Sequence, residues 1–220
     1  MKLELTNEEV YTVIDALDFY SRIWLGQYEE INSLLRLHGC VESANFEIED
    51  CKEDYLKLRS ILLPELAGED FNCSLGIWSS ETNSLAKSAY DDMQQIIRYT
   101  QAWYIYPEGG IGVNFNIPVL EGELSQIKCE CRGNAAECVM IISGEESNYR
   151  LLLECLEIYG CLFEFKIWEM FKHYTDEIEA IQLAKAIEEA YIKIIETGSA
   201  KAQPHVITIE KLKIKIEQLL

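Results

Sequence analysis

The spacing of apolar and polar positions predicts a chain built mostly of helices. Lys2–Leu5 alternates polar and apolar as a short strand does, and Thr6-Asn7-Glu8-Glu9 then forms a capping-box signature, in which the Thr6 hydroxyl accepts an orphan amide and Glu9 reaches back. Val10, Val13, Ile14, Leu17 and Trp24 follow at helical spacing. Gly26 bends or interrupts that helix, Gln27–Leu37 resumes it, and Gly39 supplies a C-terminal stop. Residues 40–46 read as a loop. Glu47–Leu63 carries a second apolar stripe that ends at Pro64, because the residue before proline avoids helical geometry. Residues 65–80 are irregular, anchored by Phe71, Leu75, Ile77 and Trp78.

Ser80–Ala102 is the best helix of the first half. Its stripe is Leu85, Ala89, Met93, Ile96 and Ile97, with Ser79 or Ser80 offered as N-cap. Pro107-Glu108-Gly109-Gly110 marks a turn, and Val113–Ile117 alternates with period two as a strand would. Val119–Gln126 lacks apolar periodicity and is the expected boundary between two domains, 1–120 and 125–220. Beyond it, Ile127–Cys131 and Ala136–Ser143 suit strands around a Gly133-Asn134 turn. Glu145–Tyr159 suits a helix broken at Gly160, and Asp176–Thr197 suits a helix stopped at Gly198. Ser199–Pro204 reads as a loop. Cys161–Tyr174 and Ile207–Leu220 fit strand or helix equally well. The expected fold class is α+β and predominantly helical: a helical first domain with a short strand pair, then a small mixed α/β domain.

Charge narrows the range of partners. The 220 residues hold 19 Lys and Arg against 38 Asp and Glu, a net charge of −19. Residues 1–120 carry 8 basic and 20 acidic side chains and residues 121–220 carry 11 and 18, so neither half conceals a basic face. Nucleic acids and anionic membranes call for clustered Lys and Arg, and neither is expected as a direct partner. An acidic field favours solubility and rapid encounter with a basic protein. No apolar run is long enough to span a bilayer, and the stretch after Met1 lacks the apolar core of a signal peptide, so a cytoplasmic location is expected. The eight cysteines are then expected as free thiols.

Candidate chemistry changes little. Cys129-x-Cys131 with Cys138 has the wrong spacing for a tetrahedral zinc site, and no metal or cofactor is expected. The glycines of Gly109-Gly110-x-Gly112 follow a helix and precede a strand, the reverse of a dinucleotide-binding turn. Glu47, Glu49, Asp50, Glu53 and Asp54 lack the central glycine of a calcium loop. Three histidines without a nucleophile motif indicate no catalytic set, and an enzyme is the less favoured reading.

Two stretches carry a resemblance. Ala16–Ile23 with Gly26-Gln27, then Ala89-Tyr90-Asp91, Ile96-Ile97-Arg98 and Pro107–Gly110, are similar to small uncharacterised proteins of Gram-positive bacteria and their prophages over residues 1–118; that resemblance implies no activity. Val139–Gly144 leading into a leucine-rich helix, within residues 136–159, resembles the strand–Ser-Gly–helix opening of bacterial toxin-immunity domains. The polar and aromatic residues expected to contact a ligand or partner are Arg22, Gln27, Arg98, Trp103 and Glu108. The expected function is an acidic protein-binding module, of an inhibitor or immunity and anti-defence kind, that occludes a basic partner surface. The alternative is a small-molecule-binding protein or small enzyme with a pocket near the Trp103–Gly112 turn, lined in part by Arg22 and Arg98.

Overall fold

The computed structural model describes residues 1–40, 51–119, 122–134, 137–192 and 199–220. The capping box forms as expected at the first helix. Thr6 Oγ1 accepts from the Glu9 amide at 3.3 Å, and Glu9 Oε2 accepts from the Thr6 amide at 2.8 Å. These bonds satisfy the donors a helix leaves open at its start and fix the junction between strand β1 (Lys2–Thr6) and helix α1 (Asn7–Trp24). Helix α2 (Glu29–Leu37) follows Gly26, whose φ of 81° is open to glycine and costly to other residues. After it come α3 (Lys52–Leu62) and, beyond an irregular stretch, α4 (Ser84–Lys87). A π-helical turn, Ser88–Gln94, links α4 to α5 (Gln95–Ile105). Strands β2 (Lys128–Arg132) and β3 (Val139–Ser143) precede α6 (Glu146–Phe163), α7 (Ile167–Lys172), α8 (Ile178–Ile192) and α9 (Ser199–Glu217). The fold is a predominantly helical α+β arrangement with one small antiparallel sheet among the described residues.

Strand β3 is central. β1 pairs with it on one side, Leu3 opposite Ile142 and Leu5 opposite Met140, and β2 on the other, Cys129 opposite Ile142 and Cys131 opposite Met140. Directly opposed residues share a face, so Leu3, Leu5, Met140, Ile142 and the two half-buried cysteines lie together toward the helices, while Ile141 on the other face, opposite Glu4 and Glu130, is buried as well. Lys2, Glu4, Lys128, Glu130 and Arg132 stand on the other face. The first and last parts of the chain are thereby joined: residues 2–6 complete a sheet with residues 139–143, and α1 packs on α6. One apolar core contains Val13, Leu17 and Tyr20 together with Leu152, Tyr159, Phe171 and Leu212. Tyr20 donates to Glu154 Oε1 at 3.1 Å, and the hydroxyls of Tyr55 and Tyr191 lie 3.3 Å apart. The expected boundary at 120–125 thus runs between segments that share one sheet and one core.

Several local expectations are corrected. Val113–Phe115 is a 3-10 turn, not part of a strand: Val113 and Ile117 are exposed, and the Phe115 ring turns onto Trp103 at 5.6 Å. The helix expected from Ser80 begins at Ser84, because Asn83 Oδ1 accepts from the amides of Leu85 (2.8 Å) and Ala86 (3.4 Å) and is the true cap. Gly160 does not break α6. The helix runs through it to Phe163, and the glycine sits where an added Cβ would lie 3.5 Å from Ile209 on α9. Residues 199–204 are helical: α9 carries Pro204 in its second turn, where the buried Ala202, Ile209, Leu212 and Ile216 secure the helix despite the missing amide donor. Residues 207–220, open between strand and helix, are helix as far as Glu217, and 161–174 resolves into the end of α6, a turn at Phe165 (φ 57°) and α7. The 41–46 part of the expected loop, the start of the Glu47–Leu63 helix with Glu47, Glu49 and Asp50, the Gly198 stop, and residues Leu120, Glu121 and Ala136 lie outside the described residues.

Candidate functional site: an apolar surface after helix α5

Helix α5 and the segment after it form a surface unlike the rest of this chain. From Tyr99 to Val119 a single charged residue occurs, Glu108, although 26% of the whole chain is charged. Tyr106, Ile111, Val113 and Ile117 are all exposed, Ile111 completely so, and Trp103 is 40% exposed. Isolated apolar side chains on a surface are ordinary, whereas several within fifteen residues make this segment a candidate docking surface.

The surface is backed by packed rings. Trp103 lies 6.2 Å from Tyr99 and meets Phe115 edge-on at 5.6 Å, while Tyr106 lies 6.5 Å from Phe115. Glycine is required beneath them, since a Cβ at Gly110 would fall within the Phe115 ring and one at Gly109 would crowd Trp103. Arg98 Nη1 donates to Asn114 Oδ1 at 3.3 Å and Nη2 to Gln95 Oε1 at 3.4 Å, holding the 3-10 turn against α5. Tyr104 donates to the Gly133 carbonyl and ties α5 to the end of β2.

Below this surface the π-helical turn is packed with polar groups that sequence periodicity did not single out. Ser88, Asp91, Asp92, Gln94 and Gln95 are all buried. Gln95 exchanges two hydrogen bonds with Val119, its Nε2 to the carbonyl at 3.1 Å and its Oε1 from the amide at 3.2 Å. Asp91 accepts from Trp78 Nε1 at 3.0 Å and from Gln95 Nε2 at 2.5 Å. Asp92 accepts from the Leu124 amide at 3.0 Å. Burial pushes the Asp92 carboxyl upward, opposed by bonds from Ser88 and from the Leu124 and Gly122 amides. Gly122 passes so close to that carboxylate that any β-carbon would collide with it. These bonds clamp the chain on both sides of the apolar surface.

Of the five residues expected to make contacts, Arg98, Trp103 and Glu108 belong to this surface. Arg22 and Gln27 belong elsewhere. Arg22 Nε pairs with Asp18 at 2.6 Å, its Nη1 donates to Gln27 Oε1 at 3.1 Å, and Gln27 donates to Ser74 at 3.2 Å. They line a cleft of 370 Å³ with Ile77 and Tyr90. No polar contact joins Arg22 to Arg98, whose partners are separate. The Arg22 guanidinium is already matched by Asp18 and, at 3.9 Å, by Glu30.

The cysteines of β2 face the core side of the sheet. Burial pushes the Cys129 and Cys131 thiols up to about 12, with Cys131 also hydrogen-bonded to Cys138, and such thiols are poor ligands and poor nucleophiles. Among the described residues no three His, Cys, Asp or Glu side chains converge as a metal site requires, and no helix is long and apolar enough to cross a membrane. No protein-family model, curated protein or solved structure matches this chain.

Proposed function

We propose that this protein is a binding module for a basic protein partner, docking through the apolar surface formed by Trp103, Tyr106, Ile111, Val113 and Ile117. One observation carries the reading: exposed apolar side chains are gathered on a nearly charge-free segment, backed by packed rings, of a chain whose net charge is −19. Interfaces combine an apolar, charge-depleted centre with a charged surround that steers encounter. The chain as a whole carries a net charge of −19, so the partner its field attracts is basic.

The alternative, a small-molecule pocket near the Trp103–Gly112 turn, gains nothing from the geometry, since the rings there fill the space between themselves and Arg98 is engaged by Gln95 and Asn114. The test is capture from lysate by the intact chain beside the Ile111→Asp, Ile117→Asp double variant, at low and high salt. The expected result is a basic protein retained by the wild type at low salt, released as salt rises and not retained by the variant. Retention unaffected by the two substitutions would overturn the assignment.

A further inference from the structure

The cleft that Arg22 and Gln27 share stands apart from the apolar surface and has walls of its own. It lies between the end of α1 and residues 74–77, and Tyr90 of the π-helical turn also lines it. The 74–77 wall is tied in place: the Leu75 amide donates to the Leu25 carbonyl at 3.0 Å, and Thr82 Oγ1 donates to the Gly76 carbonyl at 2.7 Å. Leu25, Leu75 and Ile77 give the cleft an apolar side. Its 370 Å³ falls in the range of small-molecule sites.

The polar side holds groups that the chain leaves unused. A guanidinium carries five N–H donors. Arg22 Nε donates to Asp18 Oδ2 at 2.6 Å and Nη1 to Gln27 Oε1 at 3.1 Å, while no described residue accepts from Nη2. Asp18 Oδ1 accepts from no described residue, and the Tyr90 hydroxyl bonds to none. None of these three groups is sealed from solvent. The guanidinium stands in the cleft wall, since Asp18, Gln27 and Tyr90, which act on it from three elements or turns, all line the cleft, and only Glu30 does not.

Charge decides what can bind there. Asp18 and Glu30 outnumber the single cation, and Asp15 stands beside Asp18. An anion meets net repulsion, and a cation leaves Nη2 without an acceptor. A neutral carbonyl satisfies Nη2 without adding charge, and an N–H satisfies Asp18 Oδ1. An amide offers both side by side. Nη2 shares a planar group with Nε, and Oδ1 shares one with Oδ2, so the 2.6 Å contact keeps both free atoms within reach of one amide.

We propose that this cleft binds a small neutral ring compound bearing an amide or lactam. Its carbonyl accepts from Arg22 Nη2, its N–H donates to Asp18 Oδ1, and its ring lies along Leu25, Leu75 and Ile77.

The experiment is an amide NMR titration of the intact chain with three probes: benzamide, N,N-dimethylbenzamide, which has no N–H, and benzoate, the matching anion. Benzamide is expected to move the Ser74, Leu75, Gly76 and Ile77 amide resonances saturably at millimolar concentration. The dimethyl compound and benzoate are each expected to bind at least about fivefold more weakly, the factor that one lost hydrogen bond produces. Arg22→Gln is expected to weaken benzamide by the same factor. Ile77→Trp, which fills the cleft and leaves Arg22 and Asp18 in place, is expected to abolish the shifts. Unmoved amides in the wild type, benzoate or the dimethyl compound binding as tightly as benzamide, or affinity unchanged in either variant, refutes the proposal.

Discussion

Lys215 Nζ lies 2.6 Å from Glu9 Oε1 and 2.8 Å from Glu9 Oε2, joining the last helix to the first turn of α1 across 206 residues of sequence. The pair shares its carboxylate with the capping box, since Glu9 Oε2 also accepts from the Thr6 amide. One side chain therefore closes a helix start and holds the C-terminal helix in place.

Burial would raise the Glu9 carboxyl, but the bonds from Lys215 and from Thr6 outweigh it and hold the group below its ordinary value of 4.5. A depressed folded value means the unfolded chain binds the proton more readily. The stabilisation is then complete above pH 4.5 and is lost as pH falls through the lower folded value. Lys215→Met is expected to cost about 1–2 kcal/mol near neutral pH, moderated by the solvent that reaches Lys215. Urea unfolding of wild type and variant should show that difference shrinking as pH is lowered below 4.5.

Asp15 has the opposite sign. Burial, and secondly the neighbouring Asp18 carboxylate, push its carboxyl up to about 6 from an ordinary 3.8. The folded chain then holds the proton more tightly than the unfolded one, so this group's contribution declines as pH rises from 3.8 through about 6. Asp15→Asn removes the ionisable group, and thermal unfolding is expected to show the variant gaining on wild type as pH rises from 5 to 8, a window chosen to span the elevated value. A constant gap across that range would show that Asp15 titrates normally.

Arg59, on α3, is the buried charge on which the 69–73 loop depends, its guanidinium donating to the carbonyls of Glu69, Asp70, Phe71 and Cys73. Replacing it by Met leaves four carbonyls without their donor, and chemical denaturation is expected to register a loss of about 3–5 kcal/mol. Arg59→Lys is expected to recover only part, because a single ammonium cannot present the guanidinium's fork of donors to four oxygens. Full recovery by lysine would mean that charge alone, not geometry, secures the loop.

Local order was legible wherever its cause was local. Thr6 and Glu9 are three residues apart, and their capping box was readable before any fold was known. The alternation at Cys129 and Cys131 and the largely apolar run before Ser143 likewise located two strands, and the stripe of Ala89, Met93 and Ile97 located a buried helix face. Failures came where a local signal competed with a distant contact. Val113–Ile117 alternates like a strand yet has Phe115 drawn onto Trp103, and Pro204 announces a loop yet lies within α9, whose Ala202, Ile209 and Leu212 are buried. Of the proposed surface, the turn glycines, Trp103 and Glu108 could be singled out, whereas Ile111 and Ile117 read as ordinary apolar residues until their exposure was seen. Arg59 carried no signal at all, since an arginine on a helix is by default a surface residue.

The helical class of this protein, the ends of many of its helices and the acidic character of both halves are properties of the sequence alone, because propensity, capping and charge act between near neighbours or simply add. The tertiary structure alone decided that residues 2–6 pair with 139–143, that Arg59 lies inside four carbonyls, and that the 103–119 segment faces outward. Each of those is set by which distant surfaces meet once loop closure is overcome by burial of a shared core, and no pattern confined to a few consecutive residues records that choice.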